Sequence, residues 1–266
     1  MLSLAGHHAL VTGSTKGVGL AIARSLARAG ANLVLNCRTE GPESEQAVEA
    51  CRAEGVEVSL VTADLSGETE ACVGDLFEQA MAANGEIDLL VNNAGTYMDK
   101  PFLEMDLETF DYTMRLNVYS YYFLTQRFAR HWVENQVAGR VLLIGSINGR
   151  MAEQVHSAYD TSKGAVEMMV KTLCVSLAPD NIRVNGLAPG LVYTPLTAPA
   201  LDDPDFLKWM QLHTPNQQVP GPEVCGDGAV YLLSDEATHV HGQMLTVDGG
   251  MSAWQQPDPP DVAGSE

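Results

Sequence analysis

Short apolar runs alternate with amphipathic stretches along most of this chain. The runs are rich in β-branched residues and several are almost continuously apolar, which is typical of strands buried on both faces of a sheet. We predict strands over residues 9–12, 32–36, 56–62, 88–92, 140–146, 183–188 and 243–247. The stretches between them predict helices at about 18–29, 43–54, 69–84, 107–134, 159–177 and 223–233.

Regular alternation of strand and helix predicts an α/β fold with a parallel sheet. We expect a single doubly wound parallel seven-stranded sheet with helices on both faces, a Rossmann-like architecture that occupies residues 1–253 as one domain. Residues 190–222 interrupt the rhythm with a long proline-rich connection, and a long ordered loop in a compact domain indicates a functional segment. Residues 254–266 are rich in Pro, Asp and Gly and are expected to form a disordered tail.

Composition narrows the classes of partner. No apolar run approaches the length of a membrane span, and the first residues lack the pattern of a signal peptide. The net charge of −19, with no basic stripe to offset it, argues against nucleic acid. Five scattered cysteines, without the spacing of zinc ligands, indicate reduced thiols and no metal site. We therefore expect a cytoplasmic protein with a small-molecule substrate.

A tyrosine and a lysine stand four residues apart in a predicted helix, at Tyr159 and Lys163. This spacing puts both side chains on one helical face, where an ammonium can stabilise a phenolate. Ser146, thirteen residues upstream at the end of an apolar strand, offers a hydroxyl to a substrate oxygen. Together these groups have the chemistry needed to move a proton on or off an alcohol or carbonyl.

The first predicted strand leads into a glycine-rich turn and then a helix. The turn reads Thr-Gly-Ser-Thr-Lys-Gly-Val-Gly, with glycines at Gly13, Gly17 and Gly19. Glycines permit a tight turn and close approach of a ligand to the backbone, and a helix N-terminus offers free N–H groups to a pyrophosphate. The spacing is G-x-x-x-G-x-G, which differs from the dinucleotide fingerprint G-x-G-x-x-G.

These motifs, taken in order, resemble the short-chain dehydrogenase/reductase family over about residues 4–252. The resemblance rests on the glycine turn, Asp64, the Asn92-Asn93-Ala94-Gly95 run, Asn117, Ser146, the Tyr159/Lys163 pair, and Pro189-Gly190 before Thr194. It is strongest to the single-domain branch with 3-oxoacyl-carrier-protein reductases and bacterial sugar or polyol dehydrogenases. It implies a dinucleotide-binding and catalytic domain in which residues 190–222 form a substrate lid.

The resemblance also implies roles for individual residues. Tyr159 is the general acid/base, Lys163 lowers its pKa and binds the nicotinamide ribose, Ser146 holds the substrate oxygen, and Asn117 keeps a water in a proton relay. Asn92 lies beside the cofactor and helps to tie strands together. The implied cofactor-binding residues are Gly13, Thr15, Lys16, Gly17, Val18, Gly19, Arg38, Asp64, Leu65, Asn92, Ala94, Gly95, Tyr159, Lys163, Pro189, Gly190, Val192 and Thr194.

The expected reaction is hydride transfer between NADP(H) and a secondary alcohol or ketone, such as a sugar, a polyol or a small ketone. Candidate substrate residues near the mouth of the site are Asn148, Glu153, His156, Tyr193 and Trp209. A 3-oxoacyl-carrier-protein reductase is an alternative, which the acidic charge disfavours although Arg127 and Arg130 lie on the first of the two relevant helices. A non-catalytic cofactor-sensing protein on the same fold is a second alternative.

Two further expectations concern the cofactor and the assembly. NAD enzymes of this fold end the second strand with an acidic residue, whereas this chain has Cys37 there, followed by Arg38. Arg38 and Lys16 suit a 2′-phosphate, so we expect NADP to be preferred and NAD to bind more weakly. The two helices at 107–134 and 159–177 carry more apolar surface than one sheet can cover, which predicts a homotetramer or homodimer.

Overall fold

The computed structural model describes residues 2–254, and the predicted tail lies outside this range apart from Trp254. Seven parallel strands form one sheet in the order β3-β2-β1-β4-β5-β6-β7. The strands are β1 His8–Val11, β2 Asn32–Cys37, β3 Val58–Thr62, β4 Leu89–Asn92, β5 Arg140–Ile144, β6 Arg183–Pro189 and β7 Met244–Val247. The predicted α/β fold is therefore confirmed.

Helices cover both faces of this sheet. They are α1 Gly17–Arg28, α2 Pro42–Arg52, α3 Thr69–Ala83, α4 Leu107–Met114, α5 Ser120–Asn135, α6 Ser157–Leu177, α7 Ala198–Leu201, α8 Pro204–Leu212 and α9 Gly226–Leu233. Side chains of α1, α2 and α9 pack on one face, and those of α3, α5 and α6 pack on the other. Neighbouring strand residues alternate between the two cores: Leu90 lies in one and Val91 in the other. This double burial explains why the strands read as continuous apolar runs.

Two of the predicted elements differ from the structure. The predicted helix 107–134 is divided by a π-helical turn at Arg115–Tyr119, which separates α4 from α5. The segment 190–222 is not simply a long loop, because it contains α7 and α8. Helix α8 begins with Asp203, whose carboxylate accepts hydrogen bonds from the backbone N–H groups of Asp205 and Phe206, and with Pro204 in its first turn. This capping pattern is a recognised helix start.

The strand order reverses between β1 and β4, and this reversal positions the functional site. Strand β1 pairs with β2 on one side and with β4 on the other. The connections that leave the carboxyl ends of β1 and β4 therefore run in opposite directions and open a crevice between them. In doubly wound sheets ligands bind in this crevice. The glycine turn follows β1 and the Asn-Asn-Ala-Gly run follows β4, so the two motifs meet there.

Candidate active site

The glycine turn between β1 and α1 packs tightly against the segment that follows β4. Gly13 has a φ of +58°, and a Cβ at this position would lie 2.9 Å from Cα of Ala94. A Cβ on Gly19 would lie 2.3 Å from the carbonyl oxygen of Gly13. Both positions therefore require glycine. The turn is closed further by Thr12, whose hydroxyl accepts hydrogen bonds of 2.9 Å from the backbone N–H groups of both Asn93 and Ala94.

The amide of Asn93, and not that of Asn92, ties the end of β4 to the glycine turn. Asn93 Nδ2 donates to the carbonyl oxygens of Thr12 at 2.9 Å and Gly13 at 3.0 Å. Asn92 is buried and donates from Nδ2 to the hydroxyl of Thr125 on α5 at 3.1 Å. The expectation that Asn92 ties strands together was therefore wrong, because its side chain anchors β4 to a helix.

Asn36, which the sequence analysis did not select, connects the glycine turn to the ends of β2 and β3. Its Oδ1 accepts from the backbone N–H of Gly13 at 3.1 Å. Its Nδ2 donates to the carbonyl oxygens of Cys37 at 3.2 Å and Ala63 at 3.3 Å. The buried amide thus fixes the backbone on which both Arg38 and Asp64 stand. Its polar character inside an otherwise apolar strand was the signal that would have identified it.

The first turn of α1 presents backbone N–H groups that suit an anion. Lys16 caps this helix with extended backbone and makes no side-chain cap hydrogen bond, and the first turn of α1 contains no acidic residue. Thr194 lies over the turn, because a Cβ on Gly17 would be 3.6 Å from its Cβ. Thr15 and Val192 are buried nearby, and Val192 accepts a 2.6 Å hydrogen bond from the hydroxyl of Thr197. These features fit a pyrophosphate at the helix N-terminus.

Arg38, just after β2, is exposed, and within residues 2–254 it forms no ion pair. Lys16 Nζ lies 3.3 Å from Glu43 Oε2 on α2. Glu40 Oε1 accepts a 3.1 Å hydrogen bond from the hydroxyl of Thr62. The guanidinium of Arg38 is thus available to a phosphate, whereas the ammonium of Lys16 is shared with a carboxylate.

The remaining cofactor-side residues lie along the same edge of the sheet. Asp64 is exposed after β3, and its Oδ1 accepts from the hydroxyl of Ser66 at 2.7 Å, while the neighbouring Leu65 is buried. A Cβ on Gly95 would lie 3.2 Å from Asn117 Oδ1. Pro189 ends β6, and the backbone N–H of Gly190 donates to the carbonyl oxygen of Val247 at 2.9 Å. Val18 lies in the first turn of α1 and is partly buried.

Tyr159, Lys163 and Ser146 converge where β5 ends and α6 begins. Ser146 caps a 3₁₀ turn, and its Oγ accepts from the backbone N–H of Asn148 at 3.1 Å. Lys163 is 5% exposed, and its Nζ donates to the carbonyl oxygen of Ile144 at 2.9 Å. The same Nζ lies 5.6 Å from the ring centroid of Tyr159 and 5.7 Å from that of Tyr121.

Burial controls the acidity of these groups. It raises the pKa of Tyr159 to about 12, and a hydrogen bond with Ser146 acts in the opposite direction. Burial also lowers the pKa of Lys163 to about 8. The protein's own groups therefore raise the pKa of Tyr159, which differs from the expected lowering by Lys163. The reason is that loss of hydration, together with the nearby Asp160 and Glu153, outweighs the hydrogen bond with Ser146.

Asn117 lies in the π-helical turn, and its side chain joins three parts of the chain. Nδ2 donates to the carbonyl oxygen of Thr96 at 2.8 Å and to the hydroxyl of Ser162 at 2.9 Å, while Oδ1 accepts from the backbone N–H of Thr96 at 2.9 Å. Both donors of the amide are used. The expected water relay through Asn117 would therefore have to run through its backbone carbonyl. Single π turns of this kind are frequent at functional sites.

Three of the five candidate substrate residues cluster beside Tyr159. Asn148 Nδ2 donates to Glu153 Oε1 at 3.1 Å and to Asp160 Oδ1 at 2.9 Å. The ring centroid of His156 lies 6.1 Å from that of Tyr159. The carboxylates around His156 raise its pKa, and Glu153 makes the largest contribution.

The other two candidates lie on the proposed lid. The Tyr193 hydroxyl donates to Asp202 Oδ1, and the Trp209 ring stacks on His213 of its own helix with 3.8 Å between ring centroids. The structure does not bring Trp209 into contact with Tyr159 among the described residues. It adds Tyr97, whose ring centroid is 6.1 Å from that of Tyr159 and whose hydroxyl donates to the carbonyl oxygen of Leu196 at 3.3 Å. Only its position shortly after the Asn-Asn-Ala-Gly run could have indicated Tyr97.

In the part of the chain that the structure describes, no helix has the length and apolar character needed to cross a membrane. Over the same residues no group of three or more His, Cys, Asp or Glu side chains is arranged to hold a metal ion. All five cysteines are free thiols.

Comparison with known proteins agrees with this geometry. Residues 13–252 match the model of a family described as Enoyl-(Acyl carrier protein) reductase. The chain is 33% identical over 251 residues to an L-rhamnose 1-dehydrogenase (NADP(+)) from Thermoplasma acidophilum, covering 94% of this chain and 98% of that protein. It is 34% identical over 251 residues to a 5-keto-D-gluconate 5-reductase from Escherichia coli K12, covering 94% and 97%.

Solved structures are similar over the same extent. A gluconate 5-dehydrogenase from Burkholderia cenocepacia, crystallised with NADP and tartrate, superimposes with a TM-score of 0.87 at 33% identity, covering 95% of this chain and 97% of that one. The fold of this chain therefore agrees with that structure over nearly its whole length. The chain belongs to the short-chain dehydrogenase/reductase family of oxidoreductases.

Proposed function

We propose that this protein transfers a hydride between NADP(H) and a secondary alcohol or ketone, and that its substrate is a sugar or polyol. The observation that carries this proposal is the convergence of Tyr159, Ser146 and Lys163 beside the crevice at the carboxyl edge of the sheet. NADP(H), when bound, supplies or accepts the hydride. The protein binds, orients and exchanges a proton at the substrate oxygen.

In the reducing direction, Tyr159 gives its hydroxyl proton to the substrate oxygen. The raised pKa of Tyr159 keeps the phenol protonated at neutral pH, as a general acid requires. Ser146 donates a hydrogen bond to the same oxygen and so holds it against Tyr159. In the oxidising direction the phenolate form of Tyr159 accepts the proton from the substrate hydroxyl and becomes the phenol, and the ammonium form of Lys163 stabilises that phenolate before the transfer. Lys163 is held beside the ring by Ile144.

The residues along the sheet edge fit the cofactor by the chemistry of their donors. The first turn of α1 would hold the pyrophosphate, and the exposed carboxylate of Asp64 would accept a hydrogen bond from the adenine amino group. Arg38 and Lys16 would bind the 2′-phosphate, which is why NADP is preferred over NAD. The relatives' names and the NADP in the Burkholderia structure support this assignment.

A sugar or polyol fits better than an acyl thioester on a carrier protein. Docking an acidic carrier requires exposed cations. Arg130 is exposed, but Arg127 packs against α3, where a Cβ on Gly74 would lie 3.1 Å from its Nη2. The chain carries a net charge of −19, which would repel an acidic partner. The relatives named above act on sugars and sugar acids.

Residues 190–222 act as a lid in this proposal. One observation supports this role: the Tyr97 hydroxyl donates a hydrogen bond to the carbonyl oxygen of Leu196 in this segment, and the Tyr97 ring lies beside Tyr159. Phe206 and Trp209 present exposed aromatic surface on α8. Closure of such a segment would exclude water from the reacting carbon.

The assembly is a homotetramer or homodimer, and the compartment is the cytoplasm. Exposed apolar side chains on α5 and its start, Tyr119, Tyr122 and Phe123, and on α6, Met168 and Val175, support the assembly. Free cysteines support a reducing compartment.

A turnover screen tests the reaction directly. NADPH and NADH oxidation is followed with simple ketones, ketoses and acyl thioesters, and the reverse reaction with sugars and polyols. Tyr159→Phe serves as the control, because it removes the proton donor and retains the ring. Turnover is expected to fall by about 10²–10⁴-fold in this variant, while NADPH still binds in a fluorescence titration. Turnover near the wild-type rate in Tyr159→Phe would exclude the assigned role.

A further inference from the structure

Four side chains form what we call the mouth: Tyr97, Glu153 and His156, which lie near Tyr159, and Asp99, which contacts His156. His156 Nε2 lies 2.7 Å from Asp99 Oδ1, and its Nδ1 lies 3.4 Å from Glu153 Oε1. The His156 ring centroid is 5.5 Å from that of Tyr97. The mouth is therefore held together by a histidine between two carboxylates, in contact range of the residue that exchanges the proton.

Each of the two mouth carboxylates retains an oxygen for a ligand. Asp99 uses Oδ1 for His156, and Glu153 uses Oε1 for His156 and Asn148. Within the described residues, Asp99 Oδ2 and Glu153 Oε2 accept no hydrogen bond, and the two side chains are 53% and 60% exposed. Asp160 differs, because its oxygens accept from Asn148 Nδ2 and from the backbone N–H of Glu153.

His156 provides a second sign of an unfilled polar position. Its side chain is only 16% exposed, and Nδ1 makes a 3.4 Å ion-pair contact with Glu153 Oε1 that is not a hydrogen bond. Nδ1 therefore has no hydrogen-bond partner among residues 2–254. A buried ring nitrogen without a partner calls for an explanation, and a substrate hydroxyl would supply one.

Lys100 and Arg150, the cations next to the mouth residues in the sequence, do not neutralise the charge of the mouth. Lys100 is bonded to Asp106, and Arg150 donates from Nε to Glu167 Oε1 at 2.8 Å. His156 is the cation that Asp99 and Glu153 share. Even with His156 protonated, Asp99, Glu153 and Asp160 leave a net negative charge beside the reacting atoms.

The geometry points to a mouth that selects neutral polyhydroxylated substrates and rejects sugar acids. Free carboxylate oxygens accept hydrogen bonds from sugar hydroxyls and repel a substrate carboxylate. This inference rests on the proposed oxidoreductase function and narrows its substrate class. It separates this chain from relatives such as the 5-keto-D-gluconate reductase, whose named substrate is an acid.

The test compares L-xylulose, a neutral ketose, with 5-keto-D-gluconate, a keto acid, both with NADPH. We expect the wild type to have a kcat/KM at least about tenfold higher for L-xylulose, which corresponds to one nearby repulsive charge at moderate effective dielectric. In the Asp99→Asn/Glu153→Gln variant the amide oxygens still accept hydroxyl hydrogen bonds, but the charge is gone. The ratio of kcat/KM for 5-keto-D-gluconate to kcat/KM for L-xylulose should therefore rise about tenfold in this variant, whatever happens to the rate with L-xylulose itself.

Two controls isolate the charge. Glu78→Gln, an exposed residue of α3, removes a negative charge away from the mouth and should leave the ratio unchanged. Added NaCl should raise kcat/KM for 5-keto-D-gluconate in the wild type, because salt screens exposed charges. A wild type that prefers 5-keto-D-gluconate, or a double variant with an unchanged ratio, would overturn the inference.

A binding measurement separates this inference from the proposed function. Tartrate and threitol share a four-carbon diol and differ in their terminal carboxylates. Their binding to the NADP complex is measured by saturation-transfer NMR for wild type and double variant. Loss of repulsion should strengthen tartrate binding alone, even if the turnover screen finds no substrate. Equal tartrate binding by the two proteins would contradict charge-based rejection of acids at the mouth. Absence of turnover alone would instead contradict the proposed function.

Discussion

Lys163 and Ile144 are joined by a 2.9 Å hydrogen bond from the lysine ammonium to the backbone carbonyl at the end of β5. This bond holds a buried cation beside the phenol of Tyr159. Burial lowers the pKa of Lys163 to about 8, from an ordinary value of 10.5. Below pH 8 the folded protein therefore holds a charged lysine in a poorly hydrated position, and this lowers the free energy of unfolding.

This cost should depend on pH in a defined direction. Between pH 8 and 10.5 the unfolded chain holds the Lys163 proton more firmly than the folded chain, so the stability of the wild type rises with pH there. Relative to Lys163→Met, we expect the wild type to gain up to about 3 kcal/mol across this window. Urea denaturation at several pH values measures the difference. Lys171→Met, on the exposed side of the same helix, is the control, and a flat difference would contradict the prediction.

Arg38→Ala should weaken NADPH much more than NADH. The exposed guanidinium has no ion-pair partner among the described residues, so its loss removes charged hydrogen bonds to the 2′-phosphate worth roughly 1.5–3 kcal/mol. Arg38→Lys keeps the charge but loses the forked geometry, so its dissociation constant for NADPH should lie between those of the wild type and Arg38→Ala. Dissociation constants from fluorescence titration provide the comparison. Tighter wild-type binding of NADH than of NADPH would reject the assignment.

Glu43→Gln should strengthen NADPH binding. The Glu43 carboxylate lies 3.3 Å from the Lys16 ammonium and competes for it with the 2′-phosphate that we expect Lys16 to bind. Because both side chains are exposed, the gain should be modest, at most about fivefold in the dissociation constant. NADH should be unaffected. Glu45→Gln, an exposed residue of the same helix α2, is the matched control. Equal effects of the two substitutions would show that Lys16 does not respond to Glu43 specifically.

Phe123→Glu with Met168→Glu should dissociate the assembly. These residues of α5 and α6 are 42% and 58% exposed, and charges there would be buried without partners in an interface. Sedimentation at micromolar protein should give the wild type a mass above the 28.6 kDa of one chain and give the variant that mass. Leu212→Glu on α8 controls for charge alone. A wild type of only 28.6 kDa would refute the proposed assembly.

Residues 190–222 should gain protection from hydrogen exchange on ligand binding. The comparison uses the protein alone, with NADPH, and with NADPH plus the substrate that the turnover screen identifies. Tyr97→Phe loses the hydroxyl that reaches the carbonyl oxygen of Leu196, so the gain should be smaller in this variant. Helix α3 serves as the internal reference. Unchanged protection of the segment would count against a lid.

The sequence predicted the sheet well because its inner strands are buried on both faces and therefore form nearly continuous apolar runs. It did not predict the π turn at Arg115–Tyr119, since the apolar spacing continues through it. Asn117 bonds Thr96 and Ser162, which are distant from it in the sequence. The local pattern of apolar residues cannot predict such long-range contacts. Helix α8 was missed for another reason: the six prolines of residues 190–222 favoured a loop and outweighed the helix-start signal at Asp203-Pro204.

The candidate site was predictable where a motif has fixed spacing, as in the glycine turn and the Tyr159/Lys163 pair. Tyr97 and Asp99 belong to no such motif, and only the fold places Tyr97 beside Tyr159 and Asp99 beside His156. The direction of the Tyr159 pKa shift was also beyond the sequence, because it depends on how much water the folded site removes.

The buried amide of Asn36 has a consequence for protein engineering. It fixes the backbone of the glycine turn and of the two strand ends through main-chain bonds, without using the side chains at positions 37 and 38. In the proposed function, coenzyme choice is thereby left to the exposed Arg38 and its buried neighbour Cys37, whose side chains make none of these bonds. A designer who wishes to recycle NADH in place of NADPH can alter Cys37 and Arg38 while leaving Asn36 in place, and selection in nature has the same freedom.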